Sequence, residues 1–303
     1  MAAEDRTIAR FDRAIRDLMH DALRLSLRTR ETALFVLHAA LWHRRAERIR
    51  ARWRERGVGV PAFVIMSVTH RCNLRCKGCY ARAQTRTPEP ELTDAELLRV
   101  VDEAEGLGVS ILMLAGGEPL TRPVVYDLAA HHPKMAMPII TNGLLLDEAA
   151  VARFRANRNL IPIVSIEGHV AETDTRRGAG VHARVLAALD RLRTGGLLYG
   201  ASLTVTRNNY ALVTSPSYVR ELADKGCRVF ILVEYVPIEP QTESLCLTQA
   251  QKAELSGRIE ALQRAVPGLF VALPGDEDLY GGCMAAGRGF VHISAEGRLE
   301  PCP

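Results

Sequence analysis

From residue 61 onward, short apolar runs alternate with longer stretches that are apolar only at every third or fourth position. The runs are Ala62–Val68, Ile111–Leu114, Ala136–Ile140, Ile161–Ile166, Ala201–Val205 and Val229–Val233. None exceeds seven residues, and near-continuous apolarity over that length reads as a strand buried on both faces. The helical patterns fall between them, near 94–106, 123–131, 147–157, 181–194 and 215–225. Strand–helix alternation predicts a parallel sheet with helical crossovers. In parallel α/β sheets ligands gather at the C-terminal ends of the strands.

Residues 1–56 break the alternation. Ile8, Phe11, Ile15 and Leu18, then Leu34, Val36, Leu37, Leu41 and Trp42, recur at helical spacing. The apolar run 33–42 has ten residues, too few to span a bilayer. This segment holds 14 Arg against 8 Asp and Glu, a net of +6, which leaves about −2 for the rest of a chain whose total is +4. Such a basic helical segment either packs on the body with its charged face in water, or lies on a membrane surface, or holds an acidic substrate. Outside it no aromatic-interleaved basic patch occurs, so no nucleic-acid partner is expected. At 303 residues the chain can bury one substantial core with appendages. The expected domains are a basic helical extension over 1–58, an α/β sheet unit over 59–240, and a helix with the start of a further region over 241–303.

The candidate chemistry lies in Thr69-His-Arg-Cys-Asn-Leu-Arg-Cys-Lys-Gly-Cys-Tyr80, where Cys72, Cys76 and Cys79 form C-x3-C-x2-C. Three soft thiolates can hold three irons of a four-iron cluster, leaving the fourth open to a small molecule. The same cysteines with His70 can make a structural zinc site, although such sites usually pair two separated C-x2-C knuckles. A disulfide with a spare thiol is a third reading. No signal peptide precedes the triplet, so a reducing, cytoplasmic compartment is expected, which disfavours the disulfide.

The triplet resembles the signature of the radical S-adenosylmethionine (SAM) superfamily, and the resemblance covers most of residues 60–303. It implies an α/β fold, a partial (β/α)6 TIM-type barrel behind an N-terminal helical extension. It also implies a [4Fe–4S] cluster on Cys72, Cys76 and Cys79 whose open iron chelates SAM. Reductive cleavage of SAM then yields a 5′-deoxyadenosyl radical that abstracts hydrogen from a substrate. Gly116, Gly117, Glu118 and Pro119 resemble the family's GGEP turn. There the glycines would let the backbone approach a ligand, and Glu118 would accept from the SAM ammonium. Thr141-Asn142-Gly143 resembles its TNG turn, and Ser165 and Glu167 stand where relatives carry ribose-binding side chains. Asp174 and Arg177-Gly178 resemble a further segment, in which Arg177 would pair with the SAM carboxylate. One departure lies inside the triplet. The family usually carries an aromatic before the third cysteine, near the adenine; this chain has Gly78 there and Tyr80 just after the cysteine.

In the tail, Cys283 is followed by thirteen residues, Gly297, four residues and Cys302. This resembles the opening of the SPASM/Twitch-like C-terminal region, which carries auxiliary iron–sulfur clusters. Residues 287–297 read as a hairpin with a turn near Glu296-Gly297. The further cysteines of that region are not in the chain, so the resemblance implies a truncated domain or a vestige. Cys283 and Cys302 are then auxiliary-cluster ligands or small apolar residues. Cys227 and Cys246 show no ligand spacing and read as core or loop residues.

The resemblance implies peptide or protein modification, with a low-potential electron donor such as flavodoxin or ferredoxin. A lipid or acidic small metabolite is the alternative substrate, with peripheral membrane contact through residues 1–56. A non-catalytic iron–sulfur or zinc-binding module is the reading from a different class. Ser202, Thr204, Arg207, Glu234 and Tyr235 are expected near the barrel mouth.

Overall fold

The computed structural model describes Ile15 and residues 30–81, 89–238, 240–273, 283–285 and 287–303. Ile8, Phe11 and Leu18 of the expected first helix lie outside the described residues. The six expected strands form: β1 (Phe63–Ser67), β2 (Ile111–Ala115), β3 (Met137–Thr141), β4 (Leu160–Ser165), β5 (Gly200–Val205) and β6 (Val229–Glu234). They pair in parallel in chain order, for example Phe63 with Ile111 and Ser67 with Ala115. Between them run α2 (Asp94–Leu107), α3 (Val124–His131), α4 (Glu148–Ala156), α5 (Val170–Arg177), α6 (Val181–Thr194), α7 (Tyr210–Val213) and α8 (Pro216–Asp224). Local chemistry sets their ends. Thr93 and Glu96 close a capping box on α2, and Gly108 ends it at φ 98°, a left-handed backbone that glycine adopts without penalty.

The sheet is longer than the six strands read from the sequence. After α9 (Gln249–Ala265), β7 (Leu269–Leu273) pairs in parallel with β6. At the other edge β8 (Phe290–Ile293) pairs in parallel with β1, and β9 (Leu299–Glu300) returns antiparallel on β8 as the expected hairpin. The strand order is β7-β6-β5-β4-β3-β2-β1-β8-β9. Strands at both edges therefore come from residues 241–303.

Because side chains alternate along a strand, the curled sheet has two buried faces. Val64, Met66, Leu112, Leu114, Met137 and Ile139 pack outward among helix residues such as Leu97, Val101, Leu128 and Phe154. Phe63, Ile65, Met113, Ile161, Ile163 and Ile231 point inward. The inner floor is closed by α1 (Arg30–Glu55), whose Phe35, Val36 and Ala39 join those residues. The helix is anchored at the N-terminal end of β2, where His43 Nδ1 lies 2.7 Å from Ser110 Oγ and Arg50 Nη1 donates to Gly108 O at 2.6 Å. Leu34, Leu37 and Leu41 fall on its opposite, exposed face. Among the described residues no helix is long and apolar enough to cross a membrane.

Candidate functional site

The inner face changes character along the strands. Its floor is apolar, while at the C-terminal ends the same period-2 positions become Ser67, Ser165 and Ser202, all buried. The cysteine loop leaves β1 at this polar end and is clipped to three neighbours. Gly117 N donates to Thr69 O at 2.7 Å and Glu118 N to Arg71 O at 2.8 Å. Asn142 Nδ2 donates to Asn73 Oδ1 at 2.6 Å and stands 4.0 Å from Cys72 Sγ. Lys77 N donates to Arg176 O at 2.8 Å. The GGEP turn, the TNG turn and the end of α5 thus position the loop between the second and third cysteines as well as its start.

The two glycines serve a nearer purpose than the expected approach to a ligand. A Cβ on Gly117 would stand 2.6 Å from His70 O and closer still to Arg71 O, and one on Gly116 would meet Thr69 backbone. What comes close to them in this structure is the cysteine loop itself. Glu118 likewise ties strand ends together. Its buried carboxylate accepts from Thr141 Oγ1 at 2.8 Å, Asn142 N at 2.7 Å and Leu120 N at 3.0 Å. Burial pushes its carboxyl up, opposed by those backbone and hydroxyl donors. A carboxylate has about four acceptor sites, so acceptance of a further donor stays open to it.

Glu167 and Arg177 meet each other. Arg177 Nη2 donates to Glu167 Oε1 at 2.8 Å and its Nε to Oε2, while Arg176 Nη1 donates to Oε1 at 2.6 Å. Burial raises the Glu167 carboxyl, but the two guanidiniums outweigh it and hold it below the usual range. Arg177 is correspondingly raised by Glu167 against its own desolvation. Arg176, which sequence reasoning passed over, also reaches Thr204 Oγ1 on β5 at 3.3 Å. Adjacent arginines on a short helix give no sequence signal that both turn inward onto one carboxylate. Asp174 caps the next helix, accepting from Gly180 N at 2.7 Å and His182 N at 2.8 Å.

The donor set fits the expected cluster. Partial desolvation raises the Cys72 thiol, and Glu118 and the other two cysteines add to it. Desolvation also raises Cys76, opposed by Arg177 and Arg176, cations of the kind that favour a bound thiolate. Among the described residues no three His, Cys, Asp or Glu side chains converge tightly enough to hold a single metal ion. His70 is engaged elsewhere, its Nε2 lying 2.6 Å from Glu296 Oε1 in the β8–β9 turn.

The tail cysteines lie near the same region. Cys302 is raised by partial desolvation and then by Cys283, so the two thiols sense each other. Tyr80, pushed up to about 12 by desolvation, feels both Cys79 and Cys302. A second polar chain, invisible in the sequence, joins the tail to β1: Ser67 Oγ lies 2.9 Å from His292 Nε2, and His292 Nδ1 lies 2.8 Å from Glu300 Oε2. Cys227 is a core residue, as expected, with its thiol pushed up to about 12 by burial. Of the expected mouth residues, Arg207 is exposed and donates to Cys246 O at 3.1 Å, and Glu234 pairs with Lys252 at 2.7 Å. Tyr235 is buried.

A curled, mainly parallel sheet with a cysteine triplet at its C-terminal mouth is a half-barrel of the α/β class. The model of the radical SAM superfamily matches residues 66–207. The AdoMet-dependent heme synthase of Methanosarcina barkeri is 32% identical over 268 residues, covering 80% of this chain and 76% of that protein. The PqqA peptide cyclase of Gluconobacter oxydans is 29% identical over 251 residues, covering 80% of this chain and 70% of that one. The fold matches Streptococcus suis SuiB bound to S-adenosylmethionine with a TM-score of 0.64 at 15% identity, over 90% of this chain and 63% of SuiB. The chain belongs to the radical SAM superfamily, among its SPASM-type enzymes. Its cofactors are the family's [4Fe–4S] cluster and SAM.

Proposed function

We propose that this chain cleaves SAM reductively at a cluster held by Cys72, Cys76 and Cys79 and uses the radical to modify a peptide. The observation that carries the reading is the three-point fastening of the cysteine loop to the Gly116–Pro119 turn, the Thr141–Gly143 turn and α5. Cys72, Cys76 and Cys79 would hold the cluster, which would supply the electron for reductive cleavage of bound SAM. The chain's own residues orient and shield. Glu118 keeps an acceptor site for the SAM ammonium, and Ser165 faces the interior where a ribose would lie. In this reading Arg177 acts through Glu167, holding that carboxylate ionised. Arg176, Thr204 and Ser202 line the wall toward the substrate, and the apolar floor with α1 excludes water from below. Electrons arrive from a low-potential donor of the flavodoxin or ferredoxin kind. Cys283 and Cys302 serve an auxiliary cluster, and the divisions at 58 and 240 remain the proposed domain limits.

Similarity to a PqqA peptide cyclase supports a peptide substrate. Similarity to an AdoMet-dependent heme synthase favours a second reading, an acidic small metabolite, for which Arg176 offers countercharge. Anaerobic reconstitution with iron and sulfide, reduction, and quantification of 5′-deoxyadenosine test the shared chemistry. The triple variant C72A/C76A/C79A is expected to lose the low-potential cluster and all deoxyadenosine; undiminished production would reject the assignment. Titration with iron coproporphyrin, followed through its visible absorbance, separates the two substrates: tight stoichiometric binding favours the metabolite.

A further inference from the structure

Ser67, His292 and Glu300 form a polar chain that neither the cysteine loop nor the Glu167 cluster uses. They stand on three neighbouring strands. Ser67 continues the inward row of Phe63 and Ile65 on β1. His292 on β8 lies in register with Ile65, and Glu300 on β9 pairs across from His292, so all three share the inner face. Ser67 and His292 are buried, whereas Glu300 keeps 33% of its side chain in solvent. The chain of groups therefore runs from the barrel interior to water. Its chemistry fixes the direction of each bond. A carboxylate only accepts, so His292 Nδ1, 2.8 Å from Glu300 Oε2, carries the ring proton. Nε2 is then the acceptor, and Ser67 Oγ donates to it at 2.9 Å. The groups facing the imidazole are Ser67 from β1, Glu300 from β9 and Glu296 from the turn between β8 and β9. Burial lowers the imidazole from its ordinary value, against the pull of Glu300 and Glu296, which keeps Nε2 unprotonated at neutral pH. Ser67 Oγ makes no other hydrogen bond among the described residues, so its lone pairs are left for an occupant of the interior.

We propose that Ser67, His292 and Glu300 are a proton relay that takes a proton from a substrate held inside the half-barrel. The inference rests on the reading above that a substrate enters at the C-terminal ends of the strands. Ser67 is the catalytic residue, the group that touches the substrate; His292 and Glu300 act through it. A hydroxyl, a base within hydrogen-bond reach and a third group that orients the base are the arrangement by which a weakly acidic hydroxyl exchanges protons. The step is a proton transfer alone. An O–H, N–H or S–H bond of the substrate breaks, Ser67 Oγ takes that proton, and the proton Ser67 held passes to His292 Nε2. Glu300 stabilises the imidazolium that results, and its exposed edge lets the proton leave to water. The substrate so defined carries a hydrogen-bond donor at the point where it meets β1.

Two measurements on the full chain test this, and neither needs SAM. The first is nuclear magnetic resonance of the histidine ring nitrogens, with the His292 signals assigned by their loss in His292→Gln and, should that variant not fold, by their shift in Ser67→Ala. At neutral pH the ring is expected to be neutral and protonated on Nδ1. A ring protonated on Nε2 overturns the proposal, because His292 would then donate to Ser67 and could not accept from it. Glu300→Leu removes the acceptor and is expected to move the ring toward the Nε2-protonated form; an unchanged tautomer there removes Glu300 from the relay. The second is reaction with diisopropyl fluorophosphate, mapped by peptide mass. The oxygen of Ser67 displaces fluoride from phosphorus as its proton passes to His292. Labelling of Ser67 is expected in the wild type and should be slower by about a hundredfold or more in His292→Gln. Absence of label on Ser67 in the folded wild type overturns the proposal, since the hydroxyl is then neither activated nor reachable, and so does equal labelling of the two proteins. Failure of the chain to form 5′-deoxyadenosine would reject the SAM reading and leave both of these results standing.

Discussion

At the residue scale the site depends on places where a side chain is missing. Gly117 is the sharpest case, because the atoms a methyl would meet are backbone carbonyls of His70 and Arg71 and cannot rotate away. Gly117→Ala should therefore push the cysteine loop off the β2 turn, at a cost of about 1–3 kcal/mol, the usual range for overpacking. A lowered melting temperature together with reduced iron uptake on reconstitution would show it; a variant with wild-type iron content would count against the close fit. The glycine pair was legible in the sequence as a site of close approach. What approaches was not legible, because residues 69–71 and 116–117 meet only through the pairing of β1 with β2.

At the scale of elements, α5 joins the cysteine loop to the opposite wall. Its Arg176 and Arg177 share one buried carboxylate, Glu167. Glu167→Gln should cost about 3–5 kcal/mol, since it leaves guanidinium charge poorly compensated in a buried site. The pH dependence has a definite sign. The folded-state carboxyl titrates below its free value of 4.5, so ionised Glu167 stabilises the fold above that pH, and the contribution drains away as pH falls further. Denaturant titrations from neutral pH down through the carboxylate range should show a steeper acid loss in wild type than in Glu167→Gln. Equal slopes would remove Glu167 from the acid response. The longer helices were legible because their apolar residues repeat on one face. Helix α5 was not, since Thr173 is its buried residue and its apolar residues, Val170 and Ala171, are exposed.

At the scale of the whole molecule, α1 and the β8–β9 hairpin finish a half-barrel that the six repeating units leave open. Phe35→Ala should cost about 3–5 kcal/mol by opening a cavity in the inner floor. Leu34→Ala, on the exposed side with 43% of its surface in solvent, should change stability by no more than about 0.5 kcal/mol. Equal losses in thermal melts of the two variants would contradict the orientation of the helix. The sequence by itself determined the six strands, the longer helices between them and the C-x3-C-x2-C spacing of Cys72, Cys76 and Cys79. Those are carried by periodicity and spacing within short windows, where each residue's environment follows from its neighbours. Only the tertiary structure decided that β8 pairs with β1, that Phe35 and Val36 turn inward while Leu34 and Leu37 turn out, that Arg177 meets Glu167, and that Tyr235 fills the space over Gly78. Each of these joins segments far apart in the chain, and an alternating or helical pattern records which face is buried but not against what.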